Sequence, residues 1–244
     1  MISNKTDQGS SGSSSNCCSN DNNIESYYKL SLPPNHIEFS SEEGKKIFRE
    51  AIQSKYMEGF FVLAEHSTPQ SDLTNCSLAT LAMVLNSLKV DPKRIWKGSW
   101  RWFVEDMLPC CMTRETITRR GMTFKEFACL SRCNGASVQE FPGDHIDLDL
   151  FREFLRDACS TDKKHLVLCY DRKSLGQVGT GHYSPVGGYH QERDLALVMD
   201  VARFKYPTYW VPVKALWESV RFVDGISTRG FYIISSSPSS SLQN

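Results

Sequence analysis

Leu78, Leu81, Leu85 and Leu88 recur at the spacing i, i+3, i+7, i+10, and "VDP" (90–92) ends the run, which predicts an amphipathic helix. "SSEEGKKIFREAI" (40–52) opens with Ser and Glu and reads as another helix. "TRETITRRG" (113–121) and "TFKEFACLSRCNG" (123–135) read as two short helices, each closed by Gly. "DLDLFREFLRDAC" (147–159) is amphipathic and helical. Beyond it the period changes to that of strands. "HLVLCY", "GHYSPVGGY", "DLALVMDVA" and "RGFYIISS" are predicted as strands separated by turn residues. Helices first and an antiparallel sheet second is an α+β layout, not an alternation of strand and helix.

Residues 1–25 are mostly Ser, Asn, Gly and Asp and lack the apolar residues that repay ordering, so they are predicted to be disordered, as is 236–244. The 244-residue chain shows no linker or repeat between these ends, which gives one domain, 26–235. Lys+Arg (28) balance Asp+Glu (28), so no global field recruits nucleic acid or an anionic membrane. No apolar run reaches the roughly 18 residues of a membrane span. The N-terminus has neither an apolar core nor arginine, so no secretory or mitochondrial leader is expected and the cytoplasm is the expected compartment.

Nine cysteines without a secretion signal argue against a disulfide framework. Vicinal Cys110 and Cys111, with Cys129, are candidate ligands for soft metal ions. Cys133, Cys159 and Cys169 read as small buried hydrophobes.

Cys76 is different. Asn75 or Thr74 can cap the helix, which places Cys76 in its first turn, where free amides and the helix dipole favour a thiolate. Those amides supply part of an oxyanion hole, and the Gln70 side chain can supply the rest. A nucleophilic thiol needs a base, and the base an orienting group. His182 in "GTGHYSP" begins a strand behind small residues, Gly181 among them, that let a substrate approach. If Tyr189 opposes Leu195 across the turn 190–194, His182 opposes Ala202 and Asp200 is its diagonal neighbour on one face, within about 8 Å. A slip of one residue would put His182 and Asp200 on opposite faces.

"QSDLTNCSLATLAMVLNSLKVDP", "WKGSWRWF", "GTGHYSPVGGY" and "DVARFKYPTYWVP" resemble the catalytic domain of the phytochelatin synthase family, over about residues 27–235. The resemblance implies a papain-like fold, with a helical N-terminal half packed on an antiparallel sheet from the C-terminal half. It implies Cys76, His182 and Asp200 as catalytic residues and Gln70 as the oxyanion residue. Plant members of the family show Tyr and Gly beside the nucleophile, where this chain has Asn75 and Ser77. The Cys-rich C-terminal domain of eukaryotic members is expected to be absent. The implied activity is γ-glutamylcysteine transfer from glutathione to glutathione or a phytochelatin, in heavy-metal detoxification. Its carboxylate-bearing substrates call for cations, and Arg203 and Arg229 are the first candidates, then Arg172 and Lys205. No organic cofactor is expected; a cadmium, zinc or copper ion would activate as a metal–glutathione thiolate. A homodimer is compatible with the sequence. The rivals are a peptidase that removes glycine from glutathione and its conjugates, and a non-catalytic thiol protein that binds metal. "WKGSWRWF" could stack nucleic-acid bases, but zero net charge favours packing in core and loop.

Overall fold

The computed structural model describes residues 26–223 and 228–237. The segments expected to be disordered, 1–25 and most of 236–244, lie outside these. In chain order the elements are β1 (Ile37–Glu38), α1 (Glu42–Gln53), α2 (Glu58–Glu65), α3 (Cys76–Ser87), α4 (Arg114–Arg120) and α5 (Phe124–Cys133), then β2 (Ala136–Pro142), α6 (Leu148–Cys159), β3 (Lys164–Asp171), β4 (Gly181–His190), β5 (Leu195–Val198), β6 (Tyr209–Pro212), α7 (Val213–Arg221) and β7 (Gly230–Ser236). The strands form one antiparallel sheet in the order β1-β6-β5-β4-β3-β7-β2.

The α+β layout read from the sequence is present, with helices on both faces of the sheet. Alternate residues of β3 and β7 explain why. Val167, Cys169, Tyr232 and Ile234 face a core shared with α3 and α5, whereas Leu166, Leu168, Phe231 and Ile233 face a second core shared with α6 and α7. Both faces are covered, so these strands read as continuous apolar runs rather than alternating ones. The sheet is not confined to the C-terminal half: β1 comes from the N-terminal half and forms one edge, opposite β2 at the other.

Two expectations about α3 are corrected. All twelve of its residues are buried, so it is a central helix with no solvent face. Its Asn75 cap position makes no side-chain cap bond, and Thr74 Oγ1 donates instead to Thr118 O (2.8 Å). Thr80, one turn beyond Cys76, donates from Oγ1 to the carbonyl of Tyr183 (3.1 Å), and Asn86 clasps the backbone of Phe103 from both sides (2.9 and 3.1 Å). These bonds fix α3 against β4 near its start and against the Phe103 segment near its end.

The pairing of β4 with β5 also differs from expectation. Beside the turn the register is one residue off, with Tyr189 opposite Ala196. A bulge at Gly187 absorbs the extra residue, so that Val186 pairs with Val198 in the expected register. That bulge returns His182 and Asp200 to one face.

The cysteine reading changes as well. Cys110 is bonded to Cys133, so Cys110 offers no free thiolate and Cys133 is exposed rather than buried. A buried side chain was expected at Cys133, but the α5 face that carries it looks outward, toward the 108–113 loop. Cys159 and Cys169 are buried as expected. In "WKGSWRWF" only Phe103 is core; Trp100 is 74% exposed, and Trp96 and Trp102 are also exposed. These tryptophans sit on a surface turn rather than in the packed interior.

Candidate active site

α3 delivers Cys76 to the floor of a cleft of about 630 Å³, where β4 presents His182. The His182 Nε2 donates to Asp200 Oδ1 (2.9 Å), which leaves Nδ1 for the thiol. Asp200 is fully buried just past the end of β5 and is not a solvated strand end. It accepts three further hydrogen bonds: two from Arg172 Nη2 (2.9 and 2.7 Å) and one from the Ala202 amide (2.8 Å). The three side chains named from the sequence are therefore brought together.

Charge sets their protonation. Burial alone would push the Cys76 thiol up. The His182 charge and hydrogen bond, the Tyr183 amide and the more distant Arg172 outweigh it, and the thiol is held below its ordinary value. Burial and Arg172 press the His182 pKa down, but Asp200 and Cys76 outweigh them and hold the imidazole above its ordinary value. Burial would raise Asp200; the His182 and Arg172 charges keep it well below the usual carboxylate range. A low thiol beside a raised imidazole is the arrangement that forms a thiolate–imidazolium pair.

Gln70 lies in the same cleft. Its backbone amide donates to Val201 O (2.9 Å) and its Nε2 to Asp72 O (2.6 Å), which leaves one amide hydrogen for an oxyanion. No side chain caps α3, so the amides of its first turn, where Cys76 sits, are not taken up by a cap.

The candidate cations separate into three kinds. Arg229 and Lys205 line the cleft. Arg203 does not; its Nη2 donates to Ser67 Oγ (3.0 Å). Arg172 borders the cleft but is 2% exposed, and its fork is engaged by Asp200 and by Gln177 Oε1 (2.5 Å) beneath the ring of Tyr206. It orients the carboxylate rather than offering a free cation. Gly181 shapes the cleft by absence: a Cβ there would lie 2.5 Å from Arg229 Nη1. Gly181→Ala is expected to displace that guanidinium and raise KM about tenfold with little change in kcat, the size of one charge-assisted hydrogen bond. Steady-state kinetics beside a circular dichroism spectrum checks this.

Sequence reasoning missed two features. Arg120 and Thr123 line the cleft at the α4–α5 corner, and the basic end of "TRRG" was the available signal. Glu105 accepts from the Ser71 amide (2.9 Å), from Ser71 Oγ and from Asn75 Nδ2 (2.8 Å), pinning the segment between Gln70 and Cys76. This is where the Asn75 side chain goes instead of capping α3. Nothing in local spacing connects residue 105 to that segment.

Among the described residues, those lining the cleft include four cations, Arg120, Arg172, Lys205 and Arg229, and no carboxylate. A second cavity of about 380 Å³, lined by Glu65, Glu105 and Asp106, holds neither thiol nor imidazole of the triad. Cys110, Cys111 and Cys129 lie outside the cleft. Among the described residues no group of three or more His, Cys, Asp or Glu is placed to hold a metal ion.

The phytochelatin synthase family model matches residues 27–231. The chain is 48% identical over 213 residues to glutathione gamma-glutamylcysteinyltransferase 1 of Arabidopsis thaliana, covering 86% of this chain and 44% of that protein. It is 42% identical over 211 residues to glutathione gamma-glutamylcysteinyltransferase of Schizosaccharomyces pombe, covering 86% and 51%. The chain thus spans about half the length of the curated relatives it matches. Among solved structures, a double glycine motif protease from an AMS/PCAT transporter aligns at 14% identity with a TM-score of 0.43, over 70% of this chain and 91% of that one.

Proposed function

The chain belongs to the phytochelatin synthase family, and from that premise we propose that it transfers γ-glutamylcysteine from glutathione to a second glutathione or to a growing phytochelatin. The observation that carries the reading is one cleft that joins an activated thiol to several cations and no carboxylate. Glutathione brings two carboxylates and a peptide bond to break, and the cleft answers both.

In this reading the Cys76 thiolate attacks the carbonyl carbon of the Cys-Gly bond. The new oxyanion is held by the Gln70 side chain and the Cys76 amide. His182, protonated, gives its proton to the departing glycine nitrogen as the C–N bond breaks, leaving a γ-Glu-Cys thioester on Cys76. The α-amine of the second glutathione then attacks the thioester, His182 takes its proton, and the thiolate leaves. Water in place of the amine gives hydrolysis. Asp200, held by Arg172, keeps the imidazole oriented through both steps. Arg229 and Lys205 suit the substrate carboxylates, whereas the Arg120 fork is held by Glu126 (2.9 and 2.6 Å).

Cys76 is the one cysteine among the residues lining the cleft, so the cleft offers no soft ligand set of its own. Cadmium, zinc or copper would enter as a metal–glutathione thiolate, part of the acceptor. Among the described residues no helix is long and apolar enough to cross a membrane. The cytoplasm, which keeps thiols reduced, is the compartment that suits the nucleophile.

The test is mass spectrometry of products from glutathione with and without cadmium. Oligomers growing by γ-Glu-Cys units support transfer; γ-Glu-Cys and glycine alone replace it by hydrolysis.

The pH profile follows from the two shifts. Lowering the pH protonates Cys76 only below its ordinary value, because its pKa is depressed. Raising the pH deprotonates His182 only above its ordinary value, because its pKa is raised. The expected kcat/KM is a broad bell, lost on the acid side as the thiolate is protonated and on the basic side as the imidazolium is lost. Alkylation of Cys76 by iodoacetamide across pH checks the acid limb. A reactivity that rises only near the free-thiol pKa of about 8.5 would contradict it.

A further inference from the structure

Packing does little to hold the chain between Gln70 and the start of α3. Ser71, Asp72 and Leu73 are all exposed, and Leu73, the one apolar side chain among them, is 73% exposed. Hydrogen bonds hold this segment instead. The Asp72 carbonyl accepts from Gln70 Nε2 (2.6 Å) and from the Asn75 amide (3.2 Å), so it sets the rotation of the Gln70 side-chain amide. The residues on either side of Asp72 are tied in turn to one carboxylate. Glu105 Oε1 accepts from the Ser71 amide (2.9 Å), and Oε2 accepts from Ser71 Oγ and from Asn75 Nδ2 (2.8 Å).

We infer that Glu105 is a positioning residue for the transfer reaction: by fixing Ser71 and Asn75 it makes the Asp72 carbonyl aim the free Gln70 amide hydrogen at the oxyanion. Glu105 is itself a fixed point. It opens a short helical turn, Glu105–Met107, between Phe103 and Leu108, which are both in the core. Asn86 of α3 clasps the Phe103 backbone, so the carboxylate is referenced to the helix that carries Cys76. Glu105 is not among the residues lining the cleft, so it acts through its neighbours rather than on substrate.

This role rests on the proposed transferase chemistry, and its consequence is selective. An oxyanion donor matters as charge gathers on the carbonyl oxygen, both when the thioester forms and when it breaks. Its loss therefore appears in kcat. The cations suited to the substrate carboxylates, Arg229 and Lys205, belong to other segments, so KM is spared. The groups that lower the Cys76 thiol against its burial, His182, Tyr183 and Arg172, also lie outside residues 70–75, so the thiol keeps its reactivity.

The test is steady-state glycine release from glutathione by the full chain and its variants. Glu105→Ala is expected to lower kcat about thirtyfold, part of what a whole oxyanion donor supplies, with KM within about twofold of the parent. Glu105→Gln is expected to recover most of that loss. The Ser71 hydroxyl can turn to accept, and Asn75 Oδ1, buried without a partner, meets the new amide once the Asn75 side chain flips. In a Gln70→Ala background, Glu105→Ala is expected to cost less than about threefold more, because the group it aims is gone. Alkylation of Cys76 by iodoacetamide keeps the parent's pH dependence. Ser71→Ala, an exposed change that removes one of the three bonds, is expected to repeat the pattern at about threefold in kcat, and it carries the test should Glu105→Ala not fold. An unchanged kcat, a rise in KM alone, a shifted alkylation profile, or full additivity with Gln70→Ala would overturn the role of Glu105 and leave the transferase standing. A parent chain without Cys76-dependent glycine release would sink the transferase reading, and this role with it.

Discussion

Cys76→Ala removes product formation from glutathione, with a loss on the order of 10⁴-fold or more, the scale seen when a covalent nucleophile is deleted. The thiol is the one group in the cleft that is both nucleophilic and activated, with His182 bonded to it and Asp200 behind. The side chain is small and sits at the start of a helix that is buried along its whole length, so alanine fits without disturbing α3. The variant is expected to melt within a few degrees of the parent, which separates lost chemistry from lost fold. The contrary outcome is specific. No Cys76-dependent product from the parent chain, with cadmium binding that survives Cys76→Ala and disappears with Cys110→Ser or Cys111→Ser, would make it a metal-binding thiol protein without catalysis.

Arg172→Leu has the second-largest expected effect, on stability and rate together. Arg172 and Asp200 are buried charges that satisfy one another through two hydrogen bonds. Removing one partner of such a pair costs about 3–5 kcal/mol, since the remaining charge stays buried. For a chain of this size that lowers Tm by roughly 10 °C. Asp200 then titrates closer to the ordinary carboxylate range, because a cation that favoured its charged form is gone. Its hold on the imidazole weakens, and kcat falls. Arg172→Lys keeps the charge without the fork and is expected to lie between the two. A variant that keeps its Tm and kcat and loses only KM would make Arg172 a substrate contact, the role read from the sequence, instead of the clamp on Asp200.

Helices α1, α4, α5 and α6 were legible because each carries its own punctuation, whereas α2, without a capping side chain, was not predicted. Thr123 with Glu126 closes α5, Ser41 closes α1 and Asp147 closes α6, all through side-chain caps within three residues. The strands of the sheet centre were legible as apolar runs. Its edges were not: β1 is two residues long, and β2 alternates weakly and ends in Pro142. β6 and α7 meet at Pro212 without a capping side chain, and neither was predicted. In the site, the meeting of His182 with Asp200 depended on a register that the turn alone does not set, since the bulge at Gly187 decides it. Arg172 was recognised as a cation but not as a buried one, because its partners are 5 and 28 residues away and only the fold brings them together. Glu105 had no local signal for the same reason. The Cys110–Cys133 bond ran against the compartment argument, which concerns redox balance rather than which residues a fold brings into contact.

The central claim is a thioester on Cys76. The chain is mixed with glutathione, quenched in acid within a turnover, digested and mapped by mass spectrometry. The account predicts that the peptide containing Cys76 gains one γ-glutamylcysteinyl group, that hydroxylamine removes it, and that added glutathione discharges it into a product longer by one unit. An unmodified Cys76 peptide during active turnover, or the acyl group on another cysteine, would contradict it.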